Sequence, residues 1–283
     1  MKINNQNKAT TDKEQVSSQS KEAPDKEQAD SPKAIVVTGL SKQYPDKTAV
    51  DNISFSVDKG SIFSLLGVNG AGKTTTIKML CGLTRPTGGE AYVLSRDIHT
   101  ELGEVKKLVN ISPQDTSVAS RLTVRENLEF IAGIYGADRK KQREKADEMI
   151  QYFHLQEVAD RRAKVLSGGW QRKLSIAMAL ITDPQIIFLD EPTLGLDVLA
   201  RRELWEVIRR MKEKITIILT THYMEEAESL SDKVAVMVDG QIKAMGSVEE
   251  LKEQTGADNL EEAFVRIAQE TSVCIAQEGG VRS

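Results

Sequence analysis

One short segment constrains the fold of this chain more than any other. Residues Gly67–Thr74 match the pattern G-x-x-x-x-G-K-[ST], in which glycines let successive backbone N–H groups turn toward a phosphate. An apolar stretch, Ser61–Leu66, precedes the segment, and a helical pattern over Lys73–Cys81 follows it. A phosphate bound there would also face a helix N-terminus, which carries a partial positive charge. The sequence therefore predicts a phosphate-binding loop between a strand and a helix.

The loop supplies both a full charge and a metal ligand. Lys73 would reach the β- and γ-phosphates of a nucleotide, and the hydroxyl of Thr74 would ligate Mg²⁺. We therefore expect nucleotide contacts from Gly67, Asn69, Gly70, Ala71, Gly72, Lys73, Thr74 and Thr75.

A second motif is an apolar strand, Ile186–Leu189, that ends in two carboxylates, Asp190 and Glu191. Asp190 would hold Mg²⁺ through its water shell. Glu191 can polarise an attacking water as a general base. Adjacent acids after a strand are common by chance, but together with the phosphate loop they predict a hydrolytic site.

A third motif is the turn Ser167-Gly168-Gly169, which opens an amphipathic helix. Ser167 is expected to be the N-cap of that helix. The turn can offer backbone N–H groups, a hydroxyl and the helix dipole to an anion. Taken alone, however, it predicts only a capped helix.

The order of the predicted elements indicates an α/β fold. Apolar patterning predicts strands at Ala34–Thr38, Asn52–Val57, Ser61–Leu66, Glu90–Leu94, Val109–Ser112, Ile186–Leu189, Thr216–Thr220 and Val234–Val238. A mostly helical stretch covers Val124–Leu180, a helix is expected within Ala200–Lys214, and Asp239-Gly240 predicts a hairpin to Gln241–Met245. Alternating strands and helices imply a mostly parallel sheet covered by helices. Antiparallel strands precede it, and an all-helical insert interrupts it.

Composition excludes several functions. Residues 1–32 are rich in Lys, Glu, Asp, Gln and Ser and lack aromatic residues, so we expect a disordered, low-complexity tail. No run of roughly 20 apolar residues occurs, so the chain alone is not expected to be a channel, a receptor or a complete transporter. The net charge of −4 favours no nucleic-acid partner. Cys81 and Cys274 lie far apart in the sequence and show no metal-ligand spacing. We therefore expect no disulfide framework, which fits a reducing cytoplasm.

Together the phosphate loop, the Ser-Gly-Gly turn, the Asp-Glu strand and the later Thr221-His222 pair resemble the ATP-binding cassette (ABC) ATPase domain. The resemblance covers roughly residues 34–250. It implies a P-loop NTPase with a RecA-like parallel core and ATP and Mg²⁺ as ligands. It also implies an ATPase domain over 33–257, a helical subdomain over about 115–183, and a short C-terminal extension over 258–283.

The resemblance assigns further roles residue by residue. Tyr44 matches the aromatic residue that stacks on adenine. Gln114 matches the glutamine that contacts Mg²⁺ and the water, Asp197 the acid of the loop that crosses the dimer interface, and His222 the histidine at the γ-phosphate. The family usually has Gln after Ser-Gly-Gly, where this chain has Trp170.

The family's architecture also implies partners. Two ATPase domains would close head to tail on ATP, so Ser167, Gly168 and Gly169 would act on the partner's nucleotide, most simply in a homodimer. Separate transmembrane permease subunits would dock on the helical insert and hold the chain at the inner face of the cell membrane. The stretch Thr221–Glu228 is similar to exporter ATPases for drugs and sodium. An importer ATPase and a soluble cassette ATPase remain alternatives.

Overall fold

The computed structural model describes residues 32–212 and 214–278. The predicted tail lies outside the described residues, apart from Pro32. In chain order the strands are β1 (Lys33–Tyr44), β2 (Lys47–Asp58), β3 (Ile62–Leu66), β4 (Gly88–Val93), β5 (Arg96–Asp97), β6 (Val109–Ser112), β7 (Ile186–Asp190), β8 (Thr216–Thr221), β9 (Lys233–Val238) and β10 (Gln241–Gly246). The helices are α1 (Lys73–Leu80), α2 (Leu102–Leu108), α3 (Val124–Ile134), α4 (Arg139–Tyr152), α5 (Gly168–Leu180), α6 (Val198–Lys212), α7 (Met224–Leu230), α8 (Val248–Thr255) and α9 (Leu260–Glu278).

A small antiparallel sheet is built from the first strands, in the order β2-β1-β4-β5. Along β1, Ile35 and Val37 are buried while Val36 between them is exposed, as alternation on a one-sided sheet requires. The register of β1 against β2 shifts between Val37 and Leu40, where Gly39 has a φ of +61°. This irregularity lets β1 continue to Tyr44.

The larger sheet has the order β10-β9-β3-β8-β7-β6. Strands β3, β6, β7, β8 and β9 run parallel, and only β10 pairs antiparallel to its neighbour. Every residue of β3, β7 and β8 is buried, as expected for parallel strands covered on both faces. The carboxyl ends of β3, β7 and β8 therefore meet at one edge of the sheet, where ligands bind in folds of this kind.

A helical segment, α3 to α5, lies between β6 and β7. Helix α3 begins with a capping box: Glu126 N–H donates to Thr123 Oγ1 (3.1 Å), and Thr123 N–H donates to Glu126 Oε2 (2.8 Å). The three helices share one apolar cluster, to which Leu128, Phe153 and Leu174 contribute fully buried side chains. That shared burial makes the segment a packed unit rather than a loop.

The C-terminal part adds two helices after the sheet. Helix α8 opens with a second capping box, Ser247 with Glu250. Leu260, Phe264 and Ile267 of α9 bury their side chains in a cluster with β9 and α8. Within residues 32–212 and 214–278, none of the helices combines the length and apolar character that crossing a bilayer requires.

The predicted fold class is confirmed: an α/β molecule with an antiparallel sheet and an all-helical insert. The predicted Val109–Ser112 strand has the bounds found, and the Asp239-Gly240 hairpin joins β9 to β10 as expected. The strands predicted at Ala34–Thr38 and Asn52–Val57 were too short, because β-bulges carry both past positions where strict alternation fails.

Candidate functional site

A cavity of about 250 Å³ lies at the carboxyl edge of the large sheet. It is lined by the loop before α1 and by side chains that follow β6, β7 and β8. The lining residues are Asn69, Gly70, Ala71, Gly72, Lys73, Thr74, Thr75, Gln114, Glu191, Leu194 and His222. The structure thus brings most of the predicted loop residues together with Gln114, Glu191 and His222.

Glycines are required where the loop passes neighbouring backbone. A Cβ on Gly67 would lie 2.3 Å from the carbonyl oxygen of Met237, and one on Gly72 would lie 2.4 Å from that of Ala49. Gly72 also has a φ of +105°, which side chains rarely permit. The loop is therefore held between β9 and β2, with its backbone turned around the start of α1.

Lys73 is buried, with 5% of its surface exposed. Its Nζ donates to the carbonyl oxygens of Gly67 (2.7 Å) and Val68 (3.2 Å). It also lies 3.2 Å from Glu191 Oε1. A buried ammonium held by carbonyls and one carboxylate is a charge that an incoming phosphate can take over.

The proposed metal ligands are in contact with one another. Thr74 Oγ1 donates to Asp190 Oδ1 (2.9 Å), and Thr220 Oγ1 donates to the same oxygen (2.6 Å). Asp190 is only 3% exposed. The Thr74 hydroxyl, the Asp190 carboxylate and the Gln114 side-chain amide on the cavity wall offer oxygen ligands that suit Mg²⁺. This cation uses few protein ligands and completes its coordination shell with water and phosphate oxygens. The residues present therefore fit Mg²⁺ bound together with a phosphate group.

Glu191 occupies a constrained position directly after β7. Its φ is +48°, uncommon for a residue with a side chain. Its N–H bonds both the carbonyl oxygen and Oγ1 of Thr220, each at 3.1 Å. Its Oε2 lies 2.7 Å from His222 Nδ1. These bonds aim the carboxylate into the cavity, between Lys73 and His222.

His222 is supported from behind by a stack of side chains. The Tyr223 ring lies 4.0 Å from the His222 ring, centroid to centroid. On Tyr223, the guanidinium carbon of Arg201 lies 4.6 Å from the ring centroid, a cation–π distance. Because Arg201 belongs to α6, this stack connects the helix after Asp197 to the histidine in the cavity.

Besides Gly67, which shapes the loop but does not line the cavity, five predicted nucleotide contacts lie outside it. Tyr44 is 42% exposed at the end of β1. Ser167, Gly168 and Gly169 open α5, and Asp197 is exposed at the start of α6. In the chain alone, none of these five lines the cavity that holds Lys73.

Ser167 is the N-cap residue of α5, as predicted. Ser167 has the extended backbone of an N-cap, but its hydroxyl makes no capping hydrogen bond. Asp197 does cap its helix, since Oδ1 accepts from Ala200 N–H (2.9 Å). A Cβ on Gly169 would lie 3.1 Å from the Cβ of Ala200, so the two helix starts are closely packed. The Ser167 hydroxyl is therefore not engaged in capping and stays exposed.

Trp170 packs inward rather than into the cavity. It is half-buried against the apolar cluster of the helical segment. The Nζ of Lys173 lies 4.9 Å from its ring centroid and 2.7 Å from Glu203 Oε2. Trp170 thus lies beside an ion pair that joins the buried Lys173 of α5 to the exposed Glu203 of α6.

Sequence reasoning missed two residues that shape the site. Thr220 orients both Asp190 and Glu191 through its hydroxyl, and its position at the end of a buried strand beside β7 was the available signal. Lys47 Nζ lies 3.4 Å from the carbonyl oxygen of Gly70, a contact between distant segments that no local pattern indicates.

Comparison with known proteins agrees with this geometry. A protein-family model described as ABC transporter matches residues 50–194, about half of the chain. A solved structure described as the ATP binding subunit of an ABC transporter superimposes with a TM-score of 0.73 at 29% identity, covering 83% of this chain and 99% of that one. The P-loop NTPase fold is thereby confirmed.

Two curated relatives carry the comparison further. The daunorubicin/doxorubicin resistance ATP-binding protein DrrA of Streptomyces peucetius is 40% identical over 229 residues, 81% of this chain and 69% of DrrA. The probable multidrug ABC transporter ATP-binding protein YbhF of Escherichia coli is 40% identical over 234 residues, 81% of this chain but only 40% of YbhF. The chain belongs to the ABC transporter family, whose ATP-binding cassette it carries.

Proposed function

We propose that this chain binds ATP with Mg²⁺, hydrolyses it, and thereby powers export through separate transmembrane chains. The observation that carries the proposal is the convergence of Lys73, Thr74 and Glu191 on one cavity, with Asp190 hydrogen-bonded to Thr74. A phosphate-binding cation, oxygen ligands for a divalent cation and a carboxylate base are the groups that nucleotide hydrolysis requires.

Binding of ATP would exchange the partners of Lys73. The γ-phosphate would replace the Glu191 carboxylate at the Lys73 ammonium, because two anions compete for one buried cation. Released from Lys73, Glu191 Oε1 would accept a hydrogen bond from the attacking water, while Oε2 stays with His222. Glu191 then acts as the general base and takes a proton from that water. The water oxygen forms a bond to the γ-phosphorus while the bond from that phosphorus to the β–γ bridging oxygen breaks, so that ADP leaves and inorganic phosphate forms.

Thr74, Asp190 and Gln114 would hold Mg²⁺. When bound, the cation would neutralise negative charge on the β- and γ-phosphates. Thr220 keeps Asp190 turned toward Thr74 through its 2.6 Å hydrogen bond. Backbone N–H groups from Asn69 to Thr75, with Gly67 shaping the turn, would bind the phosphates, and Tyr44 would stack on the adenine ring.

The groups outside the cavity would serve a second copy of the chain. Ser167, Gly168 and Gly169 would contact the nucleotide bound to the partner's loop, with Asp197 beside them. Exposed apolar residues flank these turns: Val165 is 66% exposed, Val198 63% and Leu199 74%. Closing two copies head to tail would cover this surface, so a homodimer accounts for both the exposed residues and the incomplete site.

Export is the direction that the relatives' names favour, since DrrA is named for drug resistance and YbhF as a probable multidrug transporter component. The helical subdomain, residues 115–183 of an ATPase domain spanning 33–257, would dock on the membrane chains, with 258–283 as an extension. Phe130, Ile134 and Tyr135 are exposed on its surface at 55%, 61% and 61%. Docking there would hold the chain at the inner face of the membrane.

Reconstitution tests this proposal. The full chain is co-purified with its membrane partner, incorporated into proteoliposomes with the cassette outside, and supplied with Mg·ATP. Because the outer face then corresponds to the cytoplasm, export predicts ATP-dependent accumulation of cargo inside the vesicles. ATP-dependent loss of preloaded cargo would instead assign an importer. The proposal that the chain powers transport would be contradicted if it purified without a multi-span membrane chain and hydrolysed ATP without one.

A further inference from the structure

Arg172 is a buried cation that the proposed chemistry does not use. It lies on α5, five residues after Ser167, and is 4% exposed. Its guanidinium donates to two successive backbone carbonyl oxygens, Pro113 O at 2.7 Å and Gln114 O at 2.6 Å. Burial lowers the pKa of Arg172, an effect that Asp190, Asp115 and Glu226 oppose electrostatically. Its direct partners are therefore the carbonyls of the segment that carries Gln114.

A second contact on the same helix face supports this connection. Ser175 lies three residues beyond Arg172, on the same side of α5. Its Oγ is 3.0 Å from the Oγ of Ser112, and both residues are buried. The end of β6 and the residues after it are thus bound to α5 at two points, through Ser112 and through the Pro113–Gln114 carbonyls.

The side chain and the backbone carbonyl of Gln114 have different neighbours. Its side chain lines the cavity with Lys73, whereas its carbonyl oxygen accepts from Arg172. A buried guanidinium that lost these acceptors would be left without hydrogen bonds in a dry environment, which is strongly unfavourable. Displacement of Gln114 therefore carries α5 with it, and displacement of α5 carries Gln114.

We propose that Arg172 is a positioning residue that holds the Gln114 backbone to α5, so that Gln114 and the Ser167 turn move as one unit. The inference rests on the proposed function, in which Gln114 serves the chain's own nucleotide and Ser167 serves the nucleotide of a second copy. Arg172 then couples the two nucleotide sites of the dimer. A planar guanidinium fork suits this task, because it can donate to two adjacent carbonyls at once.

A double-mutant cycle on the full chain tests the proposal. Arg172→Met, Gln114→Ala and the double variant are compared in steady-state ATP turnover. If Arg172 acts through Gln114, each single change slows turnover about tenfold or more, and adding Arg172→Met to Gln114→Ala slows it by less than about twofold. If the two single effects multiply in the double variant, or if Arg172→Met turns over ATP at the normal rate, the proposal is overturned.

Lys173→Met is the matched control, since Lys173 is equally buried on the same helix (6% exposed) but pairs with Glu203. Amide hydrogen exchange without nucleotide should accelerate at residues 114–117 in Arg172→Met and not in Lys173→Met. Arg172→Lys should be intermediate, because an ammonium replaces the planar fork with a point charge. Unchanged exchange at 114–117 in Arg172→Met would contradict the connection.

The two readouts separate the inference from the proposed function. A wild-type chain, with its membrane partner, that showed no ATP turnover would contradict the ATPase assignment. The exchange comparison would then decide alone whether Arg172 holds the Gln114 segment.

Discussion

Replacing Glu191 by Gln separates ATP binding from ATP hydrolysis. The Gln side chain keeps the size and hydrogen-bonding ability of Glu191 but loses the charge that lies 3.2 Å from Lys73 Nζ. At an effective dielectric of 20, that charge pair is worth about 5 kcal/mol of Coulomb energy. An incoming phosphate must compete with it in the wild type and not in the variant, so we expect ATP affinity to be retained or increased.

Hydrolysis in Glu191→Gln should fall by about 10²–10⁴-fold, the usual contribution of a general base, which corresponds to about 3–5 kcal/mol in the barrier. ATP-bound chains should therefore accumulate as dimers. Phosphate release and size-exclusion chromatography with and without Mg·ATP measure the two effects. Glu225→Gln is the control, because Glu225 is 65% exposed and lies 3.8 Å from Arg201. A Glu191→Gln rate within about threefold of wild type would refute the base assignment.

Two further changes test separate parts of the account. Tyr44→Ala should weaken ATP binding by about 5–150-fold in calorimetry, since stacking on a base is worth about 1–3 kcal/mol. Tyr92, which is similarly exposed on the same sheet, provides the control, because Tyr92→Ala should leave ATP affinity unchanged. An ATP affinity of Tyr44→Ala equal to that of wild type would refute adenine stacking. Burial, the largest cause, raises the pKa of Glu226 above 4.5 despite its hydrogen bonds, so the folded chain binds more protons than the unfolded chain above that pH. The contribution of Glu226 to stability is therefore fully present below pH 4.5 and is lost as pH rises through its folded pKa. In denaturant unfolding, the free energy of unfolding of Glu226→Gln should lack this decrease with rising pH. The same pH dependence in wild type and Glu226→Gln would contradict the assignment to Glu226.

The parts of the site that follow from the sequence are those carried by contiguous residues. The phosphate loop and the Asp190–Glu191 strand end were predictable because a turn, a helix start and a buried strand each leave a local pattern. Both also stand at the carboxyl ends of parallel strands, which converge in this fold. The contact between Thr74 and Asp190 therefore follows once the strand order is known.

Contacts between distant segments could not be predicted in this way. Thr220 orients two acids across a strand pair, and Arg172 reaches backbone carbonyls 58 and 59 residues away in sequence. Neither contact leaves a periodic or spacing pattern in the sequence, and for Thr220 the available signal was its position at the end of a buried strand. The longer course of β1 depends on a bulge near Gly39, which tertiary pairing rather than local alternation decides.

The most direct test of the central claim is a calorimetric titration of the full chain with Mg·ATP, comparing wild type with Lys73→Ala. Lys73 Nζ is the buried cation over the phosphate loop, and charge-assisted hydrogen bonds of this kind are worth about 1.5–3 kcal/mol. Wild type should bind, and Lys73→Ala should bind at least about tenfold more weakly while its thermal unfolding still shows a folded chain. Absence of binding by wild type, or equal affinity in the two proteins, would contradict the account.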